Sequence, residues 1–159
     1  MMEGEGLPSP IRFKNSVHNA AAGLFGVAFA NRRFSTALSA GEDLVAMALV
    51  EAAAWLASEG GEILVALSEE DVPAPLDRGE PGYAPLAVGL LLCAEGAAGD
   101  LALRDLRRDP SLTPDVDVGY RGNVVAPALG LASAFDARAT EAVPLGGGWA
   151  VDVSPWARR

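Results

Sequence analysis

Few side chains in this sequence are suited to acid–base or nucleophilic chemistry. His18 is the only histidine and Cys93 the only cysteine, so the sequence has none of the paired ligands of a zinc site and no internal disulfide. Histidine titrates near neutral pH, which makes His18 the natural general base or metal ligand. A lone histidine in the first turn of a predicted helix, however, is typical of a structural hydrogen-bonding role. We therefore expect no metal and no cofactor.

Ser39 is the other candidate nucleophile, because it directly precedes a long apolar helix. A cysteine at a helix N-terminus gains thiolate character from the helix dipole, whereas a serine needs an adjacent base. Ser39 and Glu42 also fit the S-x-x-E capping box, which gives Ser39 a structural role. Glu42 and Asp43 would repel a thiolate or an oxyanion at this turn. We therefore interpret Ser39 as a helix cap.

Three further features have a chemical and a structural interpretation. Cys93 lies in the apolar stretch Pro85–Ala94 and is expected to be a small buried hydrophobic residue. The consecutive acids at 69–71 carry oxygen ligands for a hard cation, but they lack the alternation that aims side chains at one point, so solvated charge is expected. Gly146–Gly148 lies between two short apolar segments, which favours a hairpin turn over a phosphate cradle.

The segment from Phe34 to Glu70 sets the predicted fold class. It contains a short strand (Ser35–Leu38), a helix (Gly41–Ser58) and a second strand (Ile63–Leu67). A strand, helix and strand at this spacing predict a parallel β–α–β unit and an α/β fold. From Leu44 to Ala57 the helix has a single charged residue, so we expect it to be buried on nearly every side. A second layer over it is expected to come from another chain.

An earlier helix is predicted from Asn15 or Ser16, either of which can act as its N-cap, to about Ala30. Gly23 and Gly26 cost about 1 kcal/mol each relative to alanine inside a helix, so they indicate close packing. Two origins stay open, helix–sheet packing and a subunit contact. The remaining predicted elements are a central strand (Pro85–Ala94), an edge strand (Asp100–Arg104) ended by Arg107 and Arg108, a helix (Asn123–Phe135), and two hairpin strands (Ala142–Leu145, Trp149–Val153).

Bulk properties exclude several classes of function. The chain has 159 residues, half of them hydrophobic, which predicts one folded domain over 1–159 after a flexible lead at 1–10. Its net charge of −9 disfavours binding to nucleic acid or to anionic membranes. No apolar run reaches the length of about 20 residues that a membrane span requires, and the start does not fit an export signal. We expect a cytoplasmic protein.

Three motifs resemble the β-ketoacyl synthase family: NSVHNAAAG at 15–23, STALSA at 35–40 and APLAVGLLL at 84–92. The likeness is closest to chain-length-factor-type proteins of aryl polyene and related fatty acid or polyketide clusters. It implies a thiolase-like fold, of which this chain would form one αβα half with a mixed sheet and a buried central helix. The strand–helix portion that usually opens that half is not found before the first motif.

The resemblance also implies a role. Active relatives carry a nucleophilic cysteine where Leu38 and Ser39 stand here, and two catalytic histidines in a second half. Relatives dimerise through the strand before that turn, which corresponds to Ser35, Thr36, Ala37 and Leu38. The chain is thus predicted to be a non-catalytic subunit that pairs with a catalytic ketosynthase, or with itself, and meets acyl carrier protein only indirectly. The alternatives are an acyl-transferring or thioester-hydrolysing enzyme using Ser39, and a decayed fragment without activity.

Overall fold

The computed structural model describes residues 17–72 and 82–157 and divides the chain into two compact units, 1–39 and 40–159. In the first unit, helix α1 spans Ala20–Ala28, and Asn19 occupies its N-cap without a side-chain hydrogen bond. The predicted lead at 1–10 and the predicted caps Asn15 and Ser16 lie outside the described residues. The helix itself is confirmed, with a shorter span.

The predicted strand Ser35–Leu38 has no regular secondary structure. The strand pairings of the described residues are all antiparallel and all lie in the second unit. The predicted parallel β–α–β unit is therefore wrong for this chain alone. Four residues with mostly small or polar side chains bury little apolar surface, and a strand is defined only by a neighbouring strand that completes its hydrogen bonds.

The described residues of the second unit form two helices, five strands and two 3₁₀ turns. They are, in chain order, a 3₁₀ turn (Gly41–Asp43), α2 (Leu44–Glu59), β1 (Glu62–Glu69), β2 (Leu86–Cys93), β3 (Leu101–Arg108), a 3₁₀ turn (Val118–Tyr120), α3 (Ala128–Ala137), β4 (Glu141–Gly146) and β5 (Trp149–Pro155). β1 pairs with β2, and a second sheet has the order β3-β5-β4. The predicted α/β class is confirmed, with antiparallel pairing in both sheets.

Several strands differ from their predicted places. β2 pairs with β1 alone among the described strands, so it is not central in a sheet. β3 is an edge strand as predicted, but it continues to Arg108 past an irregularity at which Asp105 has φ 50°. The hairpin between β4 and β5 is confirmed, and Gly146–Gly148 all have positive φ, a conformation that glycine adopts without steric cost.

The core of the second unit lies where α2 and α3 meet the strands. Its fully buried large side chains include Val45 on α2, Leu131 on α3, and Leu145 and Val151 on the hairpin. Burying side chains of this size contributes roughly 1.5–3 kcal/mol each. Among the described residues, every helix lacks the length and apolar character that a bilayer span requires.

Helix α2 is covered along one side only within the described part of the chain. Its buried residues are Val45, Ala46, Leu49 and Ala52, whereas Val50 is 43% exposed. The predicted burial on nearly every side is thus not reached by this chain alone. The uncovered apolar side is consistent with the expectation that a second layer comes from another chain.

Candidate functional site

The candidate site is the start of α2, the turn at which the sequence resemblance predicts the position of a nucleophile. The helical segment begins with the 3₁₀ turn Gly41–Asp43, and Ala40 holds the N-cap position without a side-chain hydrogen bond. The predicted capping box is therefore wrong, because the helix starts one residue later than the motif requires. Two acids, Glu42 and Asp43, occupy this first turn, where the helix dipole favours negative charge.

Asp43 is held by two residues that are distant in sequence. The indole Nε1 of Trp149 donates a hydrogen bond to Asp43 Oδ1 at 3.1 Å. The guanidinium Nη2 of Arg108 lies 3.6 Å from Asp43 Oδ2. The same guanidinium stacks over the Trp149 ring, 4.3 Å from its centroid, at a distance that allows a cation–π interaction.

The glycine hairpin completes this arrangement, which we call the Asp43 cluster (Asp43, Arg108, Gly147 and Trp149). Arg108 Nη1 donates to the carbonyl of Gly147, and a side chain at Gly147 would collide with the Asp43 carboxylate. Because the Arg108 and Asp43 side chains are 57% and 38% exposed, their ion pair is worth about 1 kcal/mol or less. These contacts connect the hairpin turn to the start of α2. The positive charge of Arg108 partly offsets the negative charge of the Asp43 carboxylate.

A second cluster of charged side chains consists of Arg107, on the edge strand β3, and the three carboxylates around it. Arg107 Nη1 donates to Asp152 Oδ1 at 2.8 Å, and Asp105 and Asp109 lie at 3.3 and 3.9 Å. The hydrogen bond to Asp152 is the main cause that raises the pKa of Arg107 above its ordinary value, and the three carboxylates add to it. Arg107 therefore stays charged, and the group ties β3 to β5 rather than supplying an acid or a base.

The residues that the sequence offered as candidates for catalysis do not lie together in one site. His18 lines an open groove in the first unit together with Asn31, Ser35, Thr36 and Ala37. Ser39 does not line this groove. Leu38 is 41% exposed and Ser39 is exposed as well.

Cys93 corrects another expectation. It ends β2 opposite Glu62 and is exposed rather than buried, because the two-stranded sheet leaves one of its faces uncovered. Within the described ranges, no three His, Cys, Asp or Glu residues lie close enough together to hold a metal ion.

Glu69, one of the three consecutive acids, instead contacts Tyr83, whose hydroxyl donates to Glu69 Oε1 at 3.4 Å. Burial raises the pKa of Tyr83 above its ordinary value, and the charges of Glu69 and Asp71 and this hydrogen bond add to the shift. All three effects, burial, the nearby charges and the hydrogen bond to Glu69, disfavour the phenolate.

Sequence reasoning missed Arg108, Trp149 and Asn123. Asn123 is the one buried polar side chain of the described residues; its Nδ2 donates to the carbonyl of Ala84 at 3.0 Å, and its Oδ1 accepts from Val125 N at 2.9 Å. Of Asp43, Arg108 and Trp149, only Asp43 was connected from the sequence with the turn before α2. Its partners Arg108 and Trp149 are 65 and 106 residues away, and no local pattern signals contacts over such separations.

A family model described as "Beta-ketoacyl synthase, N-terminal domain" matches residues 1–127. The match covers the first unit, α2, β1, β2 and β3, and it ends just before α3. Searches of curated proteins and of solved structures gave no significant match.

Proposed function

This chain belongs to the β-ketoacyl synthase family, and we propose that it acts there as a non-catalytic, chain-length-factor-type subunit. Its partner would be an active ketosynthase in fatty acid, aryl polyene or polyketide assembly, with a homodimer as the other form. Family members typically dimerise. In this role the chain would shape the space for the growing acyl chain without performing the condensation itself.

The start of α2 supports the lack of catalysis. The resemblance aligns Leu38 and Ser39 with the cysteine of active relatives, and the helical turn that follows them is acidic. Asp43 is fixed in that turn by Trp149 and Arg108. Glu42 adds a carboxylate to the same turn that forms no ion pair among the described residues, and its charge opposes the formation of a thiolate or an oxyanion nearby. This acidic turn, together with the missing cysteine, carries the proposal.

The segment Ser35–Leu38 supports pairing. Ser35, Thr36 and Leu38 are exposed, and no described strand pairs with the segment. A strand from a partner subunit would satisfy its backbone N–H and C=O groups, as strand addition does at other protein interfaces. The uncovered side of α2 is a second apolar surface available to a partner.

Co-expression with a genomically adjacent ketosynthase tests pairing. We expect one co-purifying complex on sizing, and we expect Thr36→Pro to weaken it, because proline removes the N–H needed for strand pairing. Ala98→Pro is the matched control: Ala98 precedes Gly99 in the turn closed by the 3.1 Å hydrogen bond from Asp100 N to Ala97 O, where proline is tolerated. Two separate peaks for the wild-type proteins would refute pairing.

Incubation of the purified chain with an acyl thioester tests the absence of catalysis. We expect no mass increase and no turnover. A covalent adduct that disappears in Ser39→Ala would instead establish acyl transfer by Ser39, the alternative function. Insolubility of the chain, both alone and with the ketosynthase, would favour a decayed fragment.

A further inference from the structure

Strand β2 has a free edge. Among the described strands it pairs with β1 alone, and the hydrogen bond from Ala94 N to Gly61 O at 3.0 Å fixes which residue pairs of this ladder are bonded. In an antiparallel ladder, bonded pairs alternate with pairs whose N–H and C=O groups point outward. On β2 the outward groups therefore belong to Ala87, Gly89, Leu91 and Cys93. None of them pairs with the backbone of another described residue.

The same four residues of β2 lie on the exposed face of the sheet. Leu91 is 68% exposed, and Leu64, directly opposite on β1, is 59% exposed. A sheet of two strands is marginal in water, and a third strand is usually needed for stability. A further strand beside β2 would satisfy its outward backbone groups and cover part of Leu91.

The edges of the other described sheet are protected against strand addition. β3 is interrupted by the irregularity between Arg104 and Arg107, and bulges and charges at an edge hinder pairing with another chain. β4 contains Pro144, which has no backbone N–H to donate. β2 has neither protection, since its eight residues are LAVGLLLC.

Charge favours a second copy of this chain at β2 and disfavours one at β1. Two copies that each carry −9 repel each other, so their contact has to lie on a neutral strip, and β2 contains no charged residue. β1 begins with Glu62 and ends with Glu69, and Glu70 follows. Antiparallel pairing of two β1 strands would bring these acids together, which is destabilising.

Gly89 is a further sign of a close neighbour. A glycine inside a strand weakens it and often marks the close approach of another chain. A Cβ added at Gly89 would have nothing within 4 Å, so packing within the described residues does not account for this glycine. If a two-fold axis passes at Leu90, Leu91 of one copy lies across from Gly89 of the other and fills the space beside it.

We propose that β2 pairs antiparallel with β2 of a second copy of this chain, about a two-fold axis at Leu90. The two sheets then join as one sheet in the order β1-β2-β2-β1, and each copy satisfies the outward backbone groups of the other. This contact is separate from Ser35–Leu38 and does not depend on the pairing with a ketosynthase. A subunit bound to a ketosynthase through Ser35–Leu38 would thus keep β2 for a second copy.

Proline at the two edges of the sheet tests the proposal in analytical ultracentrifugation of the full chain alone. The wild type is expected to form a concentration-dependent dimer. Gly89→Pro removes an outward N–H of β2 and is expected to weaken the dimer by about tenfold or more. Ala66→Pro is the matched control, because Ala66 is opposite Gly89 and directs its N–H to the free edge of β1. It should dimerise like the wild type.

Disulfide trapping tests the register without a change of the backbone. The two-fold axis at Leu90 places Ala87 of one copy opposite Cys93 of the other, with Cα atoms about 5.5 Å apart, a distance that a disulfide spans. Ala87→Cys is therefore expected to give a reducible covalent dimer on mild oxidation. Ser68→Cys is the control, because Ser68 is paired with Ala87 one strand further away. The wild type should not cross-link, since the two Cys93 residues lie about 20 Å apart.

The outcomes separate this proposal from its alternatives. A wild-type chain that stays monomeric up to its solubility limit would overturn it, as would a dimer broken by Ala66→Pro but not by Gly89→Pro. Equal cross-linking of the Ala87→Cys and Ser68→Cys chains would indicate non-specific association and contradict the register. A monomeric chain whose ketosynthase complex is lost in Gly89→Pro would overturn self-pairing by assigning the β2 edge to that partner. Failure to bind a ketosynthase would refute only the proposed function.

Discussion

The indole nitrogen of Trp149 donates a hydrogen bond to the carboxylate of Asp43 at 3.1 Å, joining the C-terminal hairpin to the first turn of α2. Trp149 lies beyond residue 127, where the family match ends, and Asp43 lies within it. A segment outside the matched residues thus holds the first turn of α2, which follows Leu38 and Ser39 in the chain.

A double-mutant cycle measures the Asp43–Trp149 contact. Trp149→Phe removes the N–H donor and Asp43→Ala the acceptor, and each is expected to lower the free energy of unfolding by roughly 0.5–1.5 kcal/mol. Their effects should be non-additive by about 0.5 kcal/mol or more, measured by chemical denaturation. Trp156→Phe combined with Asp43→Ala is the control and should be additive. Full additivity for the Trp149 pair would show that the contact contributes no stability.

An engineered thiol reports on the electrostatics at the turn. In a Cys93→Ser background, which removes the exposed native thiol, Ser39→Cys is expected to have a pKa at or above the ordinary value of about 8.5. The acidic first turn offsets the helix dipole that lowers such a pKa in reactive cysteines. Adding Glu42→Gln and Asp43→Asn should then lower the pKa of the thiol, by about half a unit or more.

The rate of alkylation by iodoacetamide as a function of pH measures that shift. The Cys93→Ser chain without the engineered thiol provides the blank. A thiol pKa already well below 8 in the single Ser39→Cys variant would contradict our account of why this turn is unsuited to nucleophilic chemistry.

Core packing at α3 provides a stability test with a control on the same helix. Leu131 is fully buried and Leu129 is 37% exposed. Leu131→Ala is expected to lower the free energy of unfolding by about 2–5 kcal/mol, because it removes buried methyl groups and leaves a cavity. Leu129→Ala should cost about 1 kcal/mol or less. Similar losses for the two variants in urea denaturation would show that α3 is not packed as described.

The raised pKa of Tyr83 predicts that the folded chain loses stability at alkaline pH. This pKa is raised in the folded chain, first by burial and then by Glu69 and Asp71. Above pH 10 the unfolded chain loses the phenol proton before the folded chain does, so the unfolded state binds fewer protons and stability falls as pH rises from 10 to the folded pKa. Below pH 10 this contribution is constant.

Absorbance at 295 nm in a Tyr120→Phe background, which leaves Tyr83 as the only tyrosine, follows this titration. Glu69→Gln should move the pKa of Tyr83 part of the way back toward its ordinary value, since burial remains. An unchanged midpoint in Glu69→Gln would exclude the 3.4 Å contact with Glu69 as a contributor.

The elements that sequence reasoning located correctly depend on local patterns. A long apolar run and a glycine stop predicted a helix at Gly41–Ser58, where the structure has a 3₁₀ turn at Gly41–Asp43 and α2 at Leu44–Glu59. Three glycines between apolar segments predicted the β4–β5 turn. The errors concern long-range partners. A continuous apolar run placed β2 at the centre of a sheet, but its pairing with β1 alone depends on which other strands are present.

The sequence by itself determined the family, the α/β class and the absence of a cysteine at the turn before α2, because motifs and residue identities are properties of neighbouring residues. Only the tertiary structure decided that Asp43 is held by Arg108 and Trp149, that Cys93 is exposed, and that α1 and one side of α2 stay uncovered. Contacts between residues far apart in the chain, and the exposure of each face, depend on which surfaces pack together. Local sequence patterns indicate which faces are apolar, but not what covers them.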